Sequence, residues 1–223
     1  MRTASSERTS SALARAAGAA LFSFLLLSAG FASAQVAVKP VARPEVKADD
    51  RWIYRRWDYR AKPPVHLYEL QVSFVDARAI HTVLVRQGKR RESDATWTPE
   101  WNGVVSVDDG VVEVDQGLLR FPLAVGDAYE AAWQMRRARV GAFLARHERT
   151  VKVVGWEDVE VPAGRFRALK IEASGVWRRL DKQTSGWARN TVWYVPQAKR
   201  WVKTLYEDAQ GKVGEELVFY VVQ

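Results

Sequence analysis

The chain has 223 residues, 48% hydrophobic and 27% charged, with 34 Lys and Arg against 26 Asp and Glu, three His and no Cys. That composition excludes a disordered chain, a collagen and a disulfide scaffold. Without Cys, thiol catalysis, thiolate metal sites and redox exchange are excluded as well.

Residues 1–34 divide as a secretory signal does. A cationic stretch carries Arg2, Arg8 and Arg15, an apolar run follows over 19–31, and small Ala32 and Ala34 precede Gln35. Cleavage is expected after Ala34, giving a periplasmic or otherwise secreted protein. The strongest apolar block, 21–27, is too short for the ~20 residues of a membrane span. No Cys stands at the cleavage point to accept a lipid. Removing three Arg and one Glu takes the formal charge from +8 to +6. For an exported protein the fitting anionic partners are envelope lipids, glycans and acidic protein faces, with peripheral membrane contact and without nucleic acid. The basic clusters Arg55-Arg56, Lys89-Arg90-Arg91, Arg136-Arg137, Arg178-Arg179 and Lys199-Arg200 are short and scattered. They read as solvated strand ends and turns.

Residues 35–50, with Pro40 and Pro44 and no aromatic residue, read as an extended linker ahead of one β domain over 51–223. Over 66–76, Tyr68, Leu70, Val72 and Phe74 share one face while Glu69, Gln71 and Ser73 share the other, so one side is buried and one wet. A hairpin through 76–79 leads to a strand at 80–86, and shorter segments follow at 92–98, 103–107 and 111–114. Asp108-Asp109-Gly110 is a hairpin turn between the last two. Asp127 and Glu130 could form a helix-capping box, but Tyr129, Ala131, Trp133 and Met135 alternate with Glu130, Gln134 and Arg136, which favours a strand. Strands at 150–161, 166–177, 186–195, 200–207 and 215–222 complete the pattern, with turns at Pro162-Ala163-Gly164 and Ala209-Gln210-Gly211. The fold class that follows is all-β: a curved antiparallel sheet, half-open or closed into a barrel. An outer-membrane barrel is disfavoured, because strands such as 150–161 carry Lys152, Asp158 and Glu160 opposite their core residues.

Three stretches, LRFPLAVGDAY from Leu119 to Tyr129, VEVPAGRFRALKIE from Val159 to Glu172 and TVWYVPQAKRWVK from Thr191 to Lys203, occur in an order and spacing that resembles the DUF 3108 family of exported bacterial proteins. The likeness spans 119–222. It implies a curved antiparallel β-structure in the cell envelope and supplies no catalytic residues. The chain departs from the pattern at Gln197-Ala198-Lys199, where a Gly turn is expected. Each stretch also reads as architecture: Pro122 beside a strand edge, Pro162-Ala163-Gly164 closing a hairpin, Pro196 ending a strand.

Trp is the unusual residue, with ten copies at 52, 57, 97, 101, 133, 156, 177, 187, 193 and 201. Indoles either fill the inside of a curved sheet or line a cleft for sugar rings or acyl chains. Trp97 and Trp101 share parity, as do Trp187 and Trp193. The best candidates for a ligand-facing lining are Trp187, Trp193, Tyr194 and Trp201, within a non-enzymatic binding module for an envelope lipid or glycan. One alternative is a polysaccharide hydrolase using Asp158 and Glu160, which on one strand would point the same way about 7 Å apart. Another is an assembly factor that pairs strand edges with an envelope complex. His66, His81 and His147 have no metal-ligand spacing, and neither a cofactor nor a metal is expected. A packed interior would favour the assembly role and a cavity the ligand role.

Overall fold

The two-residue repeat of apolar and polar side chains produces strands throughout. The computed structural model describes residues 39–58, 65–86, 89–106, 110–112, 115–136 and 144–223, all within the unit Ala37–Gln223. The expected leader at 1–34, and Asp108 and Asp109 of the expected turn, lie outside the described residues. Twelve strands follow in chain order: β1 (Arg51–Asp58), β2 (Val65–Val75), β3 (Ile80–Arg86), β4 (Lys89–Trp97), β5 (Gly103–Ser106), β6 (Gly110–Val112), β7 (Ala128–Arg136), β8 (Leu144–Val161), β9 (Gly164–Arg179), β10 (Ser185–Val195), β11 (Arg200–Asp208) and β12 (Gly211–Val221). No α-helix occurs among the described residues, and the one helical turn is a 3-10 turn at Pro196–Ala198.

Each strand runs antiparallel to the next, and β12 returns to pair with β1, from Arg51 opposite Val221 to Asp58 opposite Val213, so the sheet closes into a barrel. Among the described residues the ring is thinnest from β4 to β7, where successive strands share two residue pairs each. It is thickest at the long β8–β9 hairpin, closed by Pro162 and Ala163 with Gly164 at φ 128.

Residues 128–136 form a strand, as their alternation predicts. Asp127 does not cap a helix. Its Oδ2 accepts the Ala124 N–H at 2.8 Å and closes the turn before β7. Two expectations change. Residues 39–50 are extended but not excluded from the core: Val41 exchanges backbone hydrogen bonds with Leu123, and Val41 and Val46 are both buried in the hydrophobic cluster. Phe74 does not share the buried face of Tyr68, Leu70 and Val72. A register shift between Val72 and Phe74 turns it outward, where it is 52% exposed and stacks on His81.

The outer face carries cross-strand ion pairs such as Arg55 with Glu216 at 2.7 Å and Lys203 with the same carboxylate at 3.0 Å. Two indoles are explained by packing alone. Trp57 lies over Gly214 and Trp177 over Gly186, each directly opposite across a strand pair, and a Cβ at either glycine would meet the indole within 3.0 Å.

Burial inside the barrel also creates a pH dependence. His147 on β8 stacks on Trp133 with the rings nearly parallel, its Nδ1 faces Arg149 Nη2 at 3.5 Å, and its Nε2 has no hydrogen-bond partner. Desolvation, reinforced by the Arg149 charge, lowers its pKa from 6.5 to about 4. Because the folded value lies below the unfolded one, the contribution is present above pH 6.5 and is lost as pH falls toward 4. Stability is expected to drop by about 2 kcal/mol across that window through this residue. Urea titrations at pH 7 and pH 4.5 on the unmodified protein and on His147→Phe check this: the variant should show the smaller drop, and equal drops would refute it.

Candidate functional site

The turn between β10 and β11 sets the site. Pro196 ends β10 by withholding a ladder donor, and Lys199 reverses the chain with φ 55, a left-handed conformation usually given to Gly. The missing glycine is compensated by the side chain. Lys199 Nζ donates to Asp50 Oδ2 at 3.0 Å and to the Gln223 carbonyl at 2.7 Å. Asp50 is fully buried, and its two oxygens also accept the backbone N–H groups of Lys47 and Gln223.

Three carbonyls of this turn and strand are then capped by aromatic donors. Trp52 Nε1 donates to Ala198 O at 2.8 Å, Trp101 Nε1 to Lys199 O at 2.8 Å and Tyr54 Oη to Trp201 O at 2.7 Å. Trp101 itself sits at φ 66, a strained setting for a bulky residue, held by its N–H to Thr98 O. Asn102 anchors the same turn by clamping both backbone groups of Leu119 at 2.9 Å.

Between these elements lies Arg200, 1% exposed. Its guanidinium carbon is 3.8 Å from the Trp201 ring centroid, 4.2 Å from Trp101, 4.7 Å from Trp97, 5.7 Å from Trp52 and 5.9 Å from Tyr54. Trp52, Trp97, Trp101 and Trp201 pack edge to face on one another, so the cation sits in a cage of indoles. Burial pulls the Arg200 pKa down, while Tyr54, Tyr68 and Glu215 oppose this. Burial likewise pushes the Tyr54 and Tyr68 hydroxyls above the usual phenol value.

Above the cage the barrel is hollow. A cavity of about 500 Å³ is lined by the apolar Leu70, Leu84, Leu118, Ile171 and Val192, by the polar Arg56, Asp58, His66, Tyr68 and Glu215, and by Arg200, Trp97, Trp101 and Trp201. Among the polar residues, Arg56 Nη1 donates to Glu215 Oε1 at 2.7 Å and is also held by the Asp58 charge.

Of the four aromatic residues expected to line a ligand site, the structure brings Trp201 to the cavity. Tyr194, opposite Trp201 across the β10–β11 pair, is fully buried against Phe121. Trp193 faces the lysine ammonium groups of Lys170 and Lys203, and Trp187 is 52% exposed; neither lines the cavity. Trp97 and Trp101, whose common parity is visible in the sequence, do line it. Asp158 and Glu160 point to solvent, each paired across the β8–β9 hairpin, with Arg167 at 3.2 Å and Arg165 at 3.1 Å. They are largely exposed and do not line the cavity, so the hydrolase reading loses its geometric basis. Replacing both, Asp158→Asn with Glu160→Gln, is expected to leave the urea midpoint unchanged, since exposed ion pairs contribute little; a clear shift would contradict that placement.

The sequence reading misplaced the basic pair Lys199-Arg200. It is not solvated: Lys199 is tied to buried Asp50 and Arg200 is inside the barrel. Nothing in the local sequence beyond the adjacent Trp201 separates Arg200 from an exposed basic residue, since the other indoles around it come from distant segments. Among the described residues no cluster of His, Asp and Glu could hold a metal ion.

No protein-family model matches the chain. No curated protein sequence matches it either. Solved structures similar to it include a candidate lipoprotein from Parabacteroides distasonis, at 11% identity and TM-score 0.43, covering 82% of this chain and all of that one. A candidate exported protein with a YmcC-like fold from Bacteroides fragilis matches at 13% identity and TM-score 0.41, again over 82% of this chain and all of that one. The hypothetical lipoprotein YmcC from Escherichia coli matches at 8% identity and TM-score 0.41, over 78% of this chain and 85% of that one.

Proposed function

We propose that this chain is an exported, non-enzymatic binding module that takes an envelope ligand with an apolar body into the interior of its barrel. The observation that carries the reading is the hollow: about 500 Å³ lined by apolar and aromatic side chains together with charged and polar groups such as Arg56, Arg200 and Glu215. That volume lies inside the roughly 300–1,000 Å³ typical of small-ligand sites, and the mixture of a greasy wall with few polar anchors is what such sites use. The leader-like pattern of residues 1–34 and the DUF 3108 resemblance support export to the periplasm. The edge-pairing assembly role has less support, because every strand of the ring already has a paired neighbour on both sides, over as few as two residue pairs between β4 and β7.

The test is to purify the mature protein from the envelope fraction, sequence its N-terminus and examine it by native mass spectrometry before and after organic extraction. A start at Gln35 and a bound small molecule are the expected results. Protein that retains its leader overturns the export part. Protein that carries nothing, and whose Trp fluorescence ignores added lipids and glycans, overturns the ligand part.

A further inference from the structure

We infer that the ligand of this cavity is an amphiphile with an anionic head group, carboxylate or phosphate, received by Arg200 at the indole cage while its apolar body lies between the Leu70, Leu84 and Ile171 side chains; the inference rests on the proposed ligand role of the barrel.

Arg cannot shed its proton inside a protein, so the buried cation must be compensated by its surroundings. Among the described residues no carboxylate lies within ion-pair distance of it, and its Nε and Nη1 are buried with no hydrogen-bond partner. The two carboxylates of the cavity are engaged elsewhere: Glu215 is bonded by Arg56 at 2.7 Å and lies against the Tyr68 hydroxyl, and Asp58 also acts on Arg56. Arg56 therefore pairs with a carboxylate directly, whereas Glu215 acts on Arg200 only through space and Tyr54 is the polar group set against its guanidinium, leaving Nε and Nη1 without an acceptor. Ring faces stabilise a cation but accept no in-plane N–H bonds, so the guanidinium keeps unused donor capacity. Burying donors without acceptors is costly, and a cost of this kind persists where something else uses the group.

The mounting of Arg200 points the same way. The capped carbonyls of Ala198, Lys199 and Trp201, together with the Lys199–Asp50 pair, fix the backbone on both sides of it before any ligand arrives. Binding then costs little ordering of the receptor, as pre-organised sites require. The cage holds the Arg200 guanidinium with or without a ligand, so the discriminating quantity is head-group charge rather than occupancy.

Titration of intrinsic Trp fluorescence with dodecanoate, dodecyl phosphate and dodecanol makes the test, on the unmodified protein and on Arg200→Met. Methionine fills similar space without charge, and the head-group series on the unmodified protein decides the matter even where the variant does not fold. The expected result is that the two anions bind about tenfold to a hundredfold tighter than the alcohol, and that Arg200→Met abolishes the difference while the alcohol still binds. Equal affinity for the alcohol and the anions overturns the anionic head group and leaves the apolar-ligand reading intact. An anion preference that survives in folded Arg200→Met overturns the assignment to Arg200. Absence of any response to all three probes removes the ligand reading itself.

Discussion

Asp50→Ala is expected to lower the unfolding free energy by about 3 kcal/mol, because it strips the partner from a largely buried lysine and orphans two backbone donors at once. The carboxylate is fully buried and receives Lys199 Nζ at 3.0 Å, the Lys47 N–H at 2.9 Å and the Gln223 N–H at 2.8 Å. For a chain of this length that is a fall in Tm of roughly 9 °C. Asp50→Asn, which keeps one acceptor oxygen but not the charge, should fall between the parent and the alanine variant. Thermal melts followed by circular dichroism give the comparison, and an alanine variant within 1 °C of the parent would show that the Lys199 turn does not depend on this anchor. Loss of the anchor should also loosen Arg200, visible as a change in Trp emission before unfolding begins.

Gly175→Ala is the second large effect, about 3 kcal/mol. Gly175 pairs with Arg149 across β8–β9, and a Cβ there would collide with the Glu148 carbonyl oxygen. The obstacle is backbone, so no side chain can swing away. The two strands approach this closely where Arg149 Nη1 donates to both Glu148 O and Val176 O, at 2.9 Å and 2.6 Å. Separating the strands would therefore break the arginine's bonds inside the barrel as well. Gly186→Ala is the control. There the Cβ meets the Trp177 ring at 2.7 Å, a side chain that can rotate outward, and the cost should be nearer 1 kcal/mol. Urea denaturation of the pair orders them; a smaller loss at Gly175 than at Gly186 would refute the backbone-contact argument.

Much of the sheet was legible because a strand's pattern is local. Tyr68, Leu70 and Val72 alternate and are buried, and Tyr129 to Met135 alternate and form a strand despite a sequence that could cap a helix. Phe74 failed for a reason the pattern does not contain: a register shift is a property of two strands, and its effect is to reverse every face beyond it. The hydrolase alternative failed similarly, since spacing places Asp158 and Glu160 on one face without saying which side of the barrel that face is. Arg200 was invisible for a different reason. Its environment is assembled from β1, β4, the Trp101 turn and β11, and only the barrel's closure makes four scattered indoles into one enclosure. Basic residues are so often exposed that the pair Lys199-Arg200 after a turn reads as solvated until its neighbours in space are known.

The seam between β1 and β12 has a consequence for the order of events in time. Trp52 and Ala198, joined by a hydrogen bond in the finished molecule, are 146 positions apart along the chain. Bringing such distant pieces together carries a large loop-closure entropy and slows acquisition of the native state relative to the local hairpins. The guanidinium enclosure is therefore among the last parts to mature, after β8 and β9 have zipped. In stopped-flow refolding, backbone ellipticity should develop ahead of indole emission, and an amphiphile added at the start should find no pocket until the two ends of the ribbon have met.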